Sequence, residues 1–593
     1  MEDGPIVTDA VERARAAIAR GDLVTAFDEA ASAIAAGDSA AGIRHQQVLA
    51  LARMGDAERA MQLFQHYGLD HSDDPHQKAV GARLLKDQAL ATESAEDRLE
   101  ALGRAFAAYC AIFAESGDPY PGINAASLAL LCGRQEEALS LAQSLLAHRD
   151  VVGFADYYAA ATRAEALLIV GRLEDAIDTL RHAVRLLPAD YGARSSTYRQ
   201  LGLLADHIAL DQHGKDRLLA PVRPPAVLHY CGHMFRADDD AEASIAHAIK
   251  AMLTERDVGF AYGSLASGGD IMIAEAVLAR GAELHLVFPF NLEDFIDQSV
   301  RPGGEPWLPR FERCLATATT QTFASETHYV GDPGQFGYAS LVAMGQARLR
   351  AQHLGVESFQ IAISDGVIGD GPAGTGADMA VWRARGGETH IIAPGKVDRA
   401  LVRPAGHDQS DYERMLAAII FTDFPGFSKL PEAALPVFWD GVMRCVADVL
   451  DQHGDDILCR NSWGDALYAV ASSAEAAAHI ALELQDRLRD FDYTSLGLTQ
   501  GAGMRIGAHY GPVYRTLDHV TGRITFYGTE VSRAARIEPV TPPGAVFVTE
   551  PFAAILALEA PDRFHSRYVG RIELAKGYGA YPMYRLTRAG RSD

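Results

Sequence analysis

Through the first third of the chain, apolar and small residues recur at three- and four-residue spacing, and glycine interrupts them at repeated points. In ARGDLVTAFDEA, ARMGDAERAMQLF, LCGRQEEALSLA and IVGRLEDAIDTL the interrupting residues are Gly21, Gly55, Gly133 and Gly171. Five residues beyond each stands an alanine: Ala26, Ala60, Ala138 and Ala176. This spacing predicts antiparallel helix pairs, the glycine supplying the turn conformation and the alanine letting two helices approach closely. From Ala226 the pattern changes. AVLHYCGHM, GFAYGSLASGGD, AELHLVFPF, SFQIAISDG and ETHIIAP are short apolar runs, separated by helical stretches such as DAEASIAHAIKAMLTE, IMIAEAVLARG and GTGADMAVWRARG. That alternation predicts a parallel sheet covered by helices on both faces. In the last third the apolar strand AAIIFTDFPGFSKL ends on Asp423 and a Pro-Gly bend, and DILCRNSWGDALYAV (456–470) reads as a hairpin presenting Gly464 and Asp465 at its turn.

Composition sets the frame for these patterns. The chain has 593 residues, of which 48% are hydrophobic and 22% charged; that length predicts several domains with ample core material. Proline-rich DQHGKDRLLAPVRPPA (211–226) and polar GKVDRALVRPAGHDQSDYER (395–414) read as linkers. A net charge of −24 argues against nucleic acid or anionic lipid as partners, since both are bound by basic patches. The six cysteines contain no CxxC pair, which fits neither a disulfide framework nor a zinc site. The opening MEDGPIVTDA lacks a basic and then apolar leader, and no apolar run is long enough to span a bilayer. The expectation is a cytoplasmic protein without a membrane segment.

Gly21 and Gly55 stand 34 residues apart, the period of tetratricopeptide repeats. DPYPGINAASLALLCG (118–133) resembles the YxGIN-containing stretch of the TRAFs-binding helical region of apoptosis signal-regulating kinases and related bacterial signalling proteins. Residues 1–212 are therefore expected to be an all-α, TPR-like scaffold that docks a protein partner. In the middle, Gly263, Ser264, Gly268, Gly269 and Asp270 lie between a strand and a helix, where backbone N–H groups and the helix dipole can hold a phosphate. Asp270 alone reads as a helix N-cap. The order GSLASGGDIMIAEAVLARGAELHLVFPF resembles the SLOG group of Rossmann-like domains. That resemblance, over 225–395, implies a regulatory site for a nucleotide-derived ligand.

Taken singly, Asp423 reads as a cap and Asp465 as a turn residue. Two carboxylates brought together from a strand end and a hairpin turn suit hard divalent cations. In order, FTDFPGF, the GD turn, RIGAHYGPV, YGTEVSRAAR and PPG resemble the class III nucleotidyl cyclase catalytic domain, an α+β, ferredoxin-like fold over residues 413–590. The resemblance implies that Asp423 and Asp465, with the Phe424 carbonyl, hold two Mg²⁺ or Mn²⁺ ions. It implies that Gly426, Phe427 and Lys576 lie near the triphosphate and that Arg536 stabilises the transition state. The ribose-orienting Asn of the family is Ser532 here. Its base-reading Lys falls on Asn461 and the partner of that Lys on Thr525. Neither side chain dictates a base by charge, so ATP is the default and GTP or a pyrimidine triphosphate stays open. Tyr578 replaces a second family Lys after Lys576. The segment of Arg505 and His509 is expected to be structural. Class III sites form across a dimer interface, so a homodimer through this domain is implied. Two other readings compete: a catalytically degenerate nucleotide sensor, motivated by Ser532 and Asn461, and hydrolysis in the middle domain with Glu275 as acid or base.

Overall fold

The computed structural model describes residues 5–237, 239–325, 327–367, 371–398, 413–496 and 503–589. Most of the expected second linker thus lies outside the described residues. The chain divides into two compact units, one dominated by Met1–Pro224 and the other by Pro225–Gln352 with Glu357–Arg591.

The first unit is helical from Pro5–Ala19 to Gln212–Leu219. Gly21, Gly55, Gly133 and Gly171 all adopt left-handed φ, between 73° and 87°. Ala26, Ala60, Ala138 and Ala176 are completely buried, so the glycine-alanine spacing does close each helix pair. Asp22 and Asp56 add side-chain caps to the helices that follow the first two turns. One expectation is corrected here. DQHGKDRLLAPVRPPA is largely folded: Asp211 caps Gln212–Leu219, and Leu218, Leu219 and Val222 are buried against Leu201 and Leu204. The prolines end that helix, and the apolar spacing before them anchors it.

In the second unit, six strands form a parallel sheet: β1 (Ala226–Gly232), β2 (Val258–Gly263), β3 (Glu283–Phe288), β4 (Thr320–Phe323), β5 (Ser358–Ile363) and β6 (Thr389–Ile392). Their spatial order is β4-β3-β2-β1-β5-β6, so chain order reverses between β1 and β5, the switch point of a doubly wound sheet. The inner strands are buried on both faces, as helices on both sides require.

The other sheet holds β7 (Glu413–Asp423), β8 (Ile457–Trp463), β9 (Ala466–Ala471), β10 (Arg505–Asp518), β11 (Arg523–Tyr527), β12 (Val546–Thr549), β13 (Phe564–Glu573) and β14 (Ala580–Arg588). The order is β13-β14-β12-β10-β7-β9-β8, with β11 paired to β10. All pairings are antiparallel except β10 with β12. β7 is central, with Ala417–Ile420 completely buried. Among the described residues, no helix is long and apolar enough to cross a membrane.

Candidate active site

Register places the site. Asp423, the last residue of β7, stands directly opposite Arg505 on β10. On the other flank of β7, Thr422 pairs with Leu467 of β9, and the Thr422 hydroxyl accepts the Leu467 N–H. Two residues earlier is Asp465, in the two-residue turn closed by the Trp463–Ala466 pair, with Gly464 at φ 62°. A Gly-X turn of this length suits the twist of a hairpin. Strand end and turn therefore meet, as the hairpin reading expected.

The contacts follow from that register. The Phe424 N–H donates to Asp465 Oδ2 at 3.3 Å. Arg505 Nη2 lies 3.1 Å from Asp423 Oδ2, and Arg505 Nε lies 3.6 Å from Glu538 Oε1. Burial, then the charge of Asp423, raises the Asp465 carboxyl above its ordinary value. Burial and the charges of Asp423 and Asp465 push Glu538 up to about 7 against the pull of Arg505. Asp423 and Glu538 thus share the Arg505 guanidinium, with Asp465 beside Asp423. Arg505 and Glu538 join the site through these contacts, which the sequence pattern does not signal.

Phe424 is 1% exposed and packs its ring edge-on against Phe438 and tilted against Tyr493. This anchor fixes the backbone on which Asp423 ends. The Phe424 carbonyl accepts the Phe427 N–H at 3.2 Å, leaving one lone pair. Gly426 makes the bend at φ 94°, and the Phe427 ring packs on Phe438. Among the described residues, no group of three or more His, Cys, Asp or Glu side chains is arranged to hold a metal. The donor set of Asp423, Asp465 and the Phe424 carbonyl has the chemistry for a hard cation, whose charge would offset the burial that raises the Asp465 carboxyl.

Arg536 follows the Thr529–Ala534 helix, which exposes Ser532. The Arg536 guanidinium lies over the Tyr578 ring, 5.9 Å from its centroid, and its Nε is buried without a hydrogen-bond partner. Tyr578, the departure beside Lys576, therefore packs on the arginine. Lys576 is exposed with φ 64° in the β13–β14 loop, which the Leu574 N–H to Gly579 carbonyl bond closes. Among the described residues, no hydrogen bond or ion pair joins Arg536 to Asp423 or Asp465. Asn461 is exposed on β8, where it lines a cleft of about 510 Å³ with Trp439, Met443 and Arg523. Thr525, on β11, bonds to Cys459, two residues before Asn461 on the same strand.

In the parallel sheet, Gly263 ends β2 and the Ser264 carbonyl accepts the Tyr230 hydroxyl. Gly268, at φ 91°, is the N-cap of the Gly269–Ala279 helix. Asp270 is not the cap: it sits in the first turn, accepts the Ala266 N–H, and is held by burial at a pKa of about 7. Glu275 is held in two hydrogen bonds by Arg310, at 2.9 and 2.6 Å, so it is engaged in an ion pair and does not stand as a free acid or base.

Residues 411–588 match the family model of the adenylate and guanylate cyclase catalytic domain, and residues 22–129 match that of the tetratricopeptide repeats-sensor. No curated protein matches the chain. Similar solved structures include the guanylate cyclase domain of RhGC from Catenaria anguillulae, solved with GTP, at 19% identity; it covers 30% of this chain and 99% of its own, with a TM-score of 0.26. The adenylyl cyclase CyaB from P. aeruginosa is 16% identical over 31% of this chain and 98% of its own, with a TM-score of 0.27. An adenylate cyclase from Trypanosoma brucei, in its monomeric state, is 23% identical over 29% of this chain and 88% of its own, with a TM-score of 0.26.

Proposed function

We propose that this chain is a class III nucleotide cyclase that converts a nucleoside triphosphate, ATP by default, into a 3′,5′-cyclic mononucleotide and pyrophosphate. The carrying observation is the juxtaposition of Asp423 and Asp465 through strand register, with Arg505 as their neighbouring cation. Asp423, Asp465 and the Phe424 carbonyl would hold two Mg²⁺ or Mn²⁺ ions. When bound, such ions acidify the ribose 3′-hydroxyl and neutralise the triphosphate. The reaction is an in-line displacement: the 3′-oxygen bonds to the α-phosphorus as the bond to the pyrophosphate oxygen breaks.

This chain's own groups divide that work. Arg505, freed from Asp423 as that carboxylate turns to a cation, offers its guanidinium to the phosphates. Arg536, with the Tyr578 ring beneath its guanidinium, would in this reading meet the charge gathering on the α-phosphoryl oxygens. Ser532 presents a shorter hydroxyl to the ribose, and Asn461 with Thr525 faces the base. Lys576 and the backbone at Gly426 and Phe427 border the polyphosphate.

A homodimer supplies the arginine of one chain to the aspartates of another. Exposed apolar residues favour this assembly: Trp463 is 89% exposed and Val520 93%, with Trp439, Ile524 and Tyr527 also exposed. Purified protein with Mn²⁺ and each of the four ribonucleoside triphosphates is expected to release pyrophosphate with at least one. Metal-dependent binding of all four without turnover would instead establish the degenerate-sensor reading. Within this proposal the helical unit docks a protein partner, and the loop from Gly263 to Asp270 takes a nucleotide-derived regulatory ligand.

A further inference from the structure

Helix Gly334–Leu354, which lies between β4 and β5 in the chain, packs against the helix Glu550–Glu559 that follows β12 and reaches the sheet that carries the aspartates through Tyr338. A Cβ at Gly345 would lie 2.1 Å from the Ala554 carbonyl oxygen, so helix and backbone approach to the glycine limit. Met344 shares a buried cluster with Trp382 and Leu558. Asp332, just before the helix, pairs with Arg414 of β7 at 3.0 Å. Tyr338 is completely buried and donates its hydroxyl to the Tyr510 carbonyl of β10 at 2.9 Å. Burial of the ring needs only an aromatic residue; the hydroxyl is needed for that carbonyl.

The carbonyl lies at a sensitive place. β10 pairs with β12 only over Ile506–Ala508, and Tyr510 lies beyond that pairing. The residue before it, His509, is buried and meets Thr549 Oγ1 at 2.7 Å and Glu530 Oε2 at 2.8 Å. Burial, against the opposing pull of Glu530, holds His509 below its ordinary pKa, with Nε2 facing the Glu530 carboxylate and Nδ1 the Thr549 hydroxyl. Glu530 also accepts from Arg533 at 2.6 Å. Both lie on the helix Thr529–Ala534 that exposes Ser532 and leads into Arg536. On its outer side, Thr529, Glu530 and Arg533 share a cavity of about 320 Å³ with Ser325 and Thr327, which follow β4.

We propose that Tyr338 is a positioning residue that couples the parallel-sheet region to the Ser532–Arg536 segment through Tyr510, His509 and Glu530. A shift of the Gly334–Leu354 helix then changes the placement of Arg536 and the turnover of the site. The inference rests on the cyclase reading for its kinetic consequence and on geometry alone for the coupling.

Tyr338→Phe in the full chain tests it, since the ring remains and the donor to a buried carbonyl is lost. Hydrogen exchange of residues 529–538 is compared with that of β13–β14, residues 564–588, in the same samples. The coupling predicts faster exchange in 529–538 alone; unchanged exchange, or equal acceleration in both segments, overturns it. In a chain that turns over, kcat is expected to fall roughly tenfold with KM within about twofold, and an unchanged kcat overturns the positioning role. Selective acceleration in Tyr338→Phe, where the wild-type chain releases no pyrophosphate, would support the coupling while overturning the cyclase reading.

Discussion

Arg505 faces Asp423 across the β7–β10 pair, with Nη2 3.1 Å from Oδ2, and Glu538 approaches the same guanidinium at 3.6 Å. One arginine therefore balances a cluster that also contains Asp465. Replacing it with alanine leaves like charges together in a half-buried site. Arg505→Ala is expected to lower stability by about 1–2 kcal/mol, the pair being partly exposed. Millimolar Mn²⁺ is expected to restore much of that loss by binding the folded state. Thermal melts with and without Mn²⁺ check this; a metal-independent loss contradicts it.

Asp465→Asn separates catalysis from folding. It removes a charge that burial and Asp423 disfavour, so the melting temperature is expected to stay level or rise. Pyrophosphate release is expected to fall on the order of 10³-fold, because the pair that would hold the cations is broken. A parallel loss of stability and activity would mark Asp465 as a structural turn residue.

Val520 is 93% exposed at the β10–β11 hairpin, and the proposed homodimer would use it as a contact. Val520→Asp is expected to weaken dimerisation at least about tenfold in sedimentation experiments. Specific activity should then rise with protein concentration while the melting temperature of dilute protein is unchanged. Wild-type self-association in the variant would remove this surface from the interface.

Stability should also depend on pH through Asp378. Burial, opposed by the Ser340 hydroxyl, raises its carboxyl to about 7, well above its value in an unfolded chain. The stabilisation tied to its protonated form is present at low pH and is lost as pH rises through about 7. Wild-type melting temperature should therefore fall between pH 6 and 8, with Asp270 contributing in the same direction. In Asp378→Asn the Asp378 share of that slope disappears, so variant and wild type should diverge as pH rises. A constant difference across pH 6 to 8 would contradict this.

Local features were legible in the residues, and long-range register was not. The glycine that ends each helix and the alanine behind it are local rules, and Gly21 and Ala26 obey them. The strand end at Asp423 and the two-residue turn at Asp465 are legible because each declares itself within a few residues, whereas their reading as a metal pair rests on the family resemblance. Arg505 could not, because its place opposite Asp423 depends on pairing across 82 residues of chain. Glu538 was hidden for the same reason, although it stands two residues from Arg536. Strand β4, TQTF, went unread because an edge strand needs no apolar alternation, and three of its four residues are exposed. The stretch 211–226 misled in the opposite sense: its prolines outweighed Leu218, Leu219 and Val222, which bury it.

The central claim is that two chains build one site from the aspartates of one and the arginine of the other. Asp423→Ala and Arg536→Ala proteins, each purified and then mixed in equal amounts after dissociation, measure it directly by pyrophosphate release. Each variant alone is predicted to be inactive. The mixture is predicted to recover about a quarter of the wild-type rate, since half the dimers are mixed and each of those keeps one intact site of two. A mixture no more active than its separate components, beside an active wild type, would contradict the shared site.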